Sequence, residues 1–213
     1  MDGLASGVPL TLVPYGIEGS TQVYSSDLAG KFNRFFLISS ITIIDDSDAI
    51  GGGPGIFSGF DLDALFLDRD GNLNTTSDRI FPASYSFIAG STRPTSDSGY
   101  LPNAAHPGPT FGALDATTID YATATLNSID AILGNNTVAD GELCLGDGGE
   151  LTAFFSPSPP VEQHLYLFLG EVGSAANAEY AAIFATAEVP GPATILLLAS
   201  GLAAMGIWRR RVC

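Results

Sequence analysis

Carboxylates and carboxamides recur at short intervals in one stretch of the chain: Asp61-Leu62-Asp63, then Asp68-Arg69-Asp70-Gly71-Asn72-Leu73-Asn74, with Asp78 beyond. Oxygen donors at every second position, beside a glycine that lets the backbone fold back, suit a hard cation such as calcium. The expected ligands are Asp61, Asp63, Asp68, Asp70 and Asn72. The same residues could instead build an Asx-rich turn, in which the side chains bond their own backbone. A second acidic group, Asp45-Asp46-Ser47-Asp48, follows an apolar run ending at Ile44. Like charges side by side repel, and water separates them at least cost, so a solvated cluster is expected there.

Counted from Asp68, Asp70 and Asn72 fall on the third and fifth positions of a run that resembles the start of an EF-hand or dockerin-type loop. The sixth position is Leu73 where that loop has glycine, and the twelfth is Arg79 where it has glutamate. Signatures of catalysis are weaker. His106 lies in a proline-rich segment and His164 starts an apolar run. No Gly-x-Ser-x-Gly elbow, His-Glu-x-x-His helix or phosphate-binding loop occurs. The carboxylate pair of a glycoside hydrolase is a spatial arrangement, roughly 5 to 9 Å across, that an acidic composition permits without indicating it. A non-enzymatic protein is therefore expected. The alternatives are a calcium-dependent carbohydrate-binding module and, behind it, a polysaccharide-acting hydrolase.

The elements that must position these residues read as strands. Short runs rich in β-branched and aromatic residues recur between breakers, and outside the C-terminal tail no long stretch carries the 3.6-residue period of an amphipathic helix. Strands are expected over 34–44, 62–67, 79–88, 117–132, 142–145, 151–155, 162–169 and 180–188. The run 164–169 is apolar at nearly every position and suits a central strand buried on both faces. Over 117–132, Ile119, Tyr121, Thr123 and Thr125 would share one face. Gly146-Asp147-Gly148-Gly149 lies between two apolar runs like a hairpin loop. The fold class expected is all-β, a β-sandwich of jelly-roll or immunoglobulin-like type, followed by one C-terminal transmembrane helix. Its segments are a partly ordered N-terminal piece over 1–19, the acidic sandwich over 20–188 and a tail over 189–213.

Five basic residues (Lys31, Arg34, Arg69, Arg79 and Arg93) precede the tail, against all 23 acidic ones, a net charge of about −18 for the body. Such a surface repels nucleic acid, which is excluded as a partner, and favours cations or neutral polymers such as extracellular polysaccharide. Two cysteines, Cys144 and the terminal Cys213, support neither a disulfide framework nor a zinc site. Cys144, between Leu143 and Leu145, reads as a small buried hydrophobe. A sugar-binding face would need exposed rings; the single tryptophan, Trp208, is in the tail, so Tyr85, Tyr100 or Tyr121 would have to serve.

The tail reads Val189-Pro190-Gly191-Pro192, then an uncharged apolar run over 193–208, then Arg209-Arg210-Arg211. As a helix the run would reach roughly 24 Å, and snorkelling arginines with an interfacial Trp208 would make up the remainder of a ~30 Å hydrocarbon layer. The terminal arginines put the C-terminus in the cytoplasm and the body outside. A proline-flanked turn, a short apolar helix and a basic cluster resemble the PEP-CTERM sorting signal of bacteria that make extracellular polysaccharide. The resemblance covers about the last 25 residues, with Gly191 where that family has glutamate. It implies a precursor held in the inner membrane, processing by an exosortase-type sorting protease or transpeptidase, and a final location at the cell surface or in the extracellular matrix. Residues 1–9 offer neither a basic n-region nor a continuous apolar h-region, so a translation start upstream of Met1 is expected.

Overall fold

The computed structural model describes residues 7–47, 53–131, 141–173 and 181–189. Its strands are β1 (Val8–Pro9), β2 (Val13–Glu18), β3 (Thr21–Asp27), β4 (Leu37–Asp45), β5 (Asp61–Asp68), β6 (Ser84–Ile88), β7 (Leu143–Cys144), β8 (Glu150–Phe154), β9 (Tyr166–Val172) and β10 (Ala181–Glu188). They form two five-stranded antiparallel sheets, ordered β1-β10-β4-β8-β6 (sheet I) and β2-β3-β9-β5-β7 (sheet II). The chain is all-β among the described residues, as its sequence pattern requires. The helix expected over 193–208 lies outside the described residues; among those described, no helix is long and apolar enough to cross a membrane.

Alternation builds the core. Ile41 and Ile43 of β4 and Ile183, Ala185 and Ala187 of β10 turn inward at every second position. Leu65 and Leu67 of β5 and Leu167 and Leu169 of β9 meet them from the other sheet in one continuous cluster. Burying each such leucine or isoleucine stabilises the fold by ~1.5–3 kcal/mol. The opposite face of sheet II is buried as well: Val23, Ala64, Phe66, Leu73 and Phe168 form a second cluster, with Phe66 and Phe168 stacked at 5.7 Å. Connecting segments therefore cover the outer face of sheet II, which explains why all eight residues of β5 are buried.

Pairing is nested. β3 pairs with β9, β4 with β8 and β5 with β7, and from β3 to β10 successive strands alternate between the two sheets. Strands β3 to β10 thus pack as a two-sheet sandwich around a shared core. This corrects the reading of residues 146–149, because β7 belongs to sheet II and β8 to sheet I, so that loop crosses between sheets. Gly146 and Gly148 there adopt φ of 78° and 75°, conformations that glycine reaches without strain.

Two further differences from the sequence expectation have local causes. The sheets begin earlier than residue 20, since β1, β2 and the start of the chain's third strand lie upstream or just beyond it. Pro9, Pro14 and Gly16 suppress the strand signal, but β2 is a fully exposed edge strand with a bulge between Pro14 and Gly16, where a missing N–H costs little. The strand expected over 117–132 does not form within its described part, residues 117–131, where only isolated bridges occur, at Ile119 and Ala124. Asp115 accepts from the N–H of Thr117 and the hydroxyls of Thr117 and Thr118, and Asp120 from the N–H of Ala122 and the hydroxyl of Thr123. These local bonds compete with a ladder and win. Ile119 is accordingly buried, whereas Tyr121 is 59% exposed.

Candidate metal centre

β5 ends at Asp68, whose side chain is fully buried. Its Oδ1 accepts from the backbone N–H groups of Asp70 (3.0 Å) and Gly71 (2.6 Å). Asp70 Oδ1 then accepts from Asn72 N–H at 2.8 Å, and Asn72 Oδ1 from Asn74 N–H at 3.1 Å. The chain leaves the strand through consecutive Asx turns. Gly71 is required at its place: φ is +71°, and a Cβ there would lie 2.9 Å from the Tyr166 ring.

The loop returns to the sheet at Ile80, which exchanges backbone hydrogen bonds with Leu67 at 2.7 and 2.9 Å. Arg79 fastens it: Nη2 donates to the Leu73 carbonyl at 2.6 Å and the guanidinium sits 4.5 Å above the Phe66 ring. Asp78 is thereby carried back to the loop's start. One carboxylate oxygen each from Asp68, Asp70 and Asp78 lie within 4.8 Å of one another. Asp68 Oδ2 and Asp78 Oδ1 are both buried and without a hydrogen-bond partner. Burial holds the Asp68 carboxyl above the usual carboxylate range, the backbone N–H groups of Gly71 and Asp70 oppose this, and the charge of Asp78 adds to it.

Of the five ligands expected from sequence, Asp68 and Asp70 come together; the others do not join them as expected. Along a strand rising ~3.3 Å per residue, Asp63 lies about 16 Å and Asp61 about 23 Å from Asp68. Asp63 is occupied elsewhere. Its Oδ2 accepts from the Thr21 hydroxyl and its Oδ1 from the N–H groups of Asp130 and Ala131, both at 3.2 Å. It fastens the segment around residue 130 to sheet II, and burial raises its pKa against those hydrogen bonds. Asp61 pairs in register with Cys144 at the short β5–β7 ladder. Asn72 is exposed, and its carbonyl oxygen is engaged by both nitrogens of Asn74. Asp78 enters the cluster through the Leu67–Ile80 pairing, a contact that no spacing rule from Asp68 would select.

Asp45 also departs from its expectation. It is 5% exposed rather than solvated, and accepts from the N–H groups of Phe60 (2.9 Å), Ser47 (3.0 Å) and Gly148 (2.8 Å). Three backbone donors replace water and tie the end of β4 to two loops. Cys144 is buried beside Ile56 and Phe111, and the buried His106 ring lies 4.5 Å from Phe111.

A cleft of about 290 Å³ is lined by Phe81, Tyr85, Tyr121, Thr125, Leu126 and Asn127 among others. The Tyr85 and Tyr121 rings are 6.4 Å apart. Burial, with Tyr121 beside it, pushes the Tyr85 phenol well above its ordinary range. Phe81, three residues after Asp78, also meets Phe66 edge-on at 5.9 Å, so cleft and loop share one support. Compared with known proteins, the chain matches no family model, no curated protein and no solved structure.

Proposed function

We propose that the chain is a non-enzymatic, exported bacterial surface or matrix protein, an acidic jelly-roll domain delivered by a PEP-CTERM-like tail. The observation that carries this reading is the tail itself: Val189-Pro190-Gly191-Pro192, the uncharged run over 193–208 and Arg209 to Arg211. The nested strand pairing, with successive strands from β3 to β10 alternating between the sheets, supports the finer, jelly-roll assignment. β10 is paired on both sides, with β1 and β4, and ends at Glu188, one residue before the tail motif. An uncleaved precursor would therefore hold the domain close against the membrane.

The test is fractionation of cells that express the tagged full-length protein from its native locus, with mass spectrometry of the C-terminal peptide. The expected result is an intact tail in the inner membrane and a tail-less body outside. An intact tail found only in the soluble cytoplasm would overturn the reading.

A calcium-dependent carbohydrate-binding role is the second reading. It is favoured by the cleft, which Tyr85, Tyr121, Thr125 and Asn127 line together with Phe81, three residues after Asp78. Aromatic faces with a few polar groups suit a neutral sugar, and the negative charge of the body disfavours an anionic one.

A further inference from the structure

We propose that Asp68, Asp70 and Asp78 form a calcium site that closes the loop between β5 and β6 onto the outer face of sheet II. Three carboxylates with oxygens inside 4.8 Å would not by themselves make a site. The independent observation is Asp68. Its side chain is fully buried, its Oδ1 is taken by two backbone N–H groups, and its Oδ2 is buried without a hydrogen-bond partner. Asp78 Oδ1 is a second buried oxygen without a donor in the same place.

A buried acceptor left without a partner costs about 1–3 kcal/mol, and more when it is charged. The protein's own cations do not relieve it. Among the described residues the ion pairs are Arg69–Glu162 and Arg93–Asp147, while Arg79, adjacent to Asp78, is directed to the Leu73 carbonyl and the Phe66 ring. Protonation of one carboxyl or a bound cation would resolve the conflict. Calcium fits best of the hard cations, because it accepts irregular all-oxygen shells completed by water, whereas magnesium demands a near-ideal octahedron. Zinc would call for nitrogen or sulfur ligands, and no histidine or cysteine belongs to the cluster.

The role follows from the position. Asp68 and Asp78 bracket residues 69–77, so one ion would join the end of β5 to the segment that carries Phe81 into the aromatic cleft. Calcium would thereby stabilise both the loop and the cleft wall. This inference does not rest on sorting by the tail: a sorted protein that binds no calcium and a calcium-binding protein that is not sorted are separate outcomes.

The experiment uses the full-length chain in detergent, stripped of metal with EDTA and titrated with terbium, whose emission is sensitised by a nearby tyrosine. The Tyr166 ring lies against Gly71 and the Tyr15 hydroxyl donates to the Gly71 carbonyl, so both tyrosines are expected sensitisers. Saturable emission displaced by calcium at about millimolar concentration or below is expected, with a calcium-dependent rise in melting temperature of several degrees. Asp78→Asn should weaken calcium at least about tenfold, while Asp115→Asn, at an exposed Asx turn, should not. If Asp78→Asn fails to fold, the double variant Tyr15→Phe/Tyr166→Phe decides: loss of emission with the calcium-dependent melting shift retained places the ion at this loop. Emission unchanged in the double variant Tyr15→Phe/Tyr166→Phe, unweakened calcium binding by Asp78→Asn, or wild-type protein with no melting shift up to about 10 mM calcium would each overturn the site.

Discussion

The guanidinium of Arg93 clasps the carboxylate of Asp147: Nε donates to Oδ1 at 3.0 Å and to Oδ2 at 3.2 Å, and Nη2 donates to Oδ1 at 2.9 Å. The side chains are only 18% and 11% exposed. The pair joins the segment after β6 to the loop that crosses from sheet II to sheet I, where Ser91 and Asp147 also exchange backbone hydrogen bonds at 3.0 and 2.8 Å. Removing one partner leaves a poorly solvated charge behind. Arg93→Ala should cost ~2–3 kcal/mol, below the value for a fully buried pair because some solvent reaches this one. Arg69→Ala removes the exposed Arg69–Glu162 pair and should cost under ~1 kcal/mol. Urea denaturation of the two variants checks the contrast, and equal losses would show that the clasp contributes nothing special.

Asp63 should give the stability a distinctive pH dependence. Its folded pKa is raised by burial, so between the unfolded value of ~3.9 and the folded value the native state binds more protons than the unfolded one. Its contribution therefore falls as pH rises through that window and stays low above it. Asp68 acts with the same sign in metal-free protein, whereas Asp115, lowered by the N–H of Thr117 and the hydroxyl of Thr118, acts with the opposite sign from an exposed, screened position. Relief of general negative repulsion on acidification works in the same direction as Asp63, so the wild type alone is not diagnostic. Asp63→Asn is. Its carbonyl can keep the N–H groups of Asp130 and Ala131 while its amide donates to Thr21. Denaturation in EDTA across about pH 4 to 7.5 should show a smaller fall in stability for the variant than for wild type; identical profiles would remove Asp63 from the account.

Two glycine substitutions should behave oppositely. At Gly59, φ is +78° and an added Cβ would sit 2.3 Å from the Gly146 carbonyl carbon, a backbone atom that cannot rotate away. Gly59→Ala should destabilise by more than ~2 kcal/mol or prevent folding. At Gly16, in the exposed edge strand β2, a Cβ meets nothing within 4 Å. Gly16→Ala should be neutral or stabilise by up to ~1 kcal/mol, through reduced freedom of the unfolded chain. Thermal melting of both variants tests the close approach of residues 59 and 146.

Tyr121 offers a test of the sugar-binding reading that leaves the core intact. It is 59% exposed, so Tyr121→Ala should change stability by less than ~0.5 kcal/mol. If the cleft binds a neutral polysaccharide, the same change should weaken binding about tenfold through loss of an aromatic face. Affinity electrophoresis in gels containing neutral glucans or galactans, with and without calcium, measures it. No retardation of wild-type protein by such polymers from the producing cells would end this reading.

Much of the fold was legible because alternation is a local property. The runs that became β4, β5, β8, β9 and β10 carry apolar residues at the period their sheets demand; of residues 164–169, Leu165 and Leu167 to Leu169 are buried, whereas His164 is exposed ahead of β9 and Tyr166 is half-buried. Edge strands were less legible: β2 is exposed throughout and contains Pro14 and Gly16, so it carries no burial pattern to read. Residues 117–131 show the reverse error, a β-like composition diverted by Asp and Thr side chains into turns. Asp45 looked like one member of a solvated acidic run, and only its three backbone donors mark it as structural.

By itself the sequence determined an all-β body, strong acidity, the absence of a disulfide framework, and a tail whose apolar run and arginines carry the case for a membrane. Each of these depends on composition or on neighbours within a few residues. The tertiary structure decided which carboxylates meet. Asp61 and Asp63 share a strand with Asp68 yet are separated from it by the rise of an extended chain, while Asp78 returns to it because Ile80 pairs with Leu67. It also decided that Tyr85 and Tyr121, 36 positions apart, line one cleft. Contacts of that kind follow from how the two sheets and their connecting loops close on the core, and no spacing along the chain encodes them.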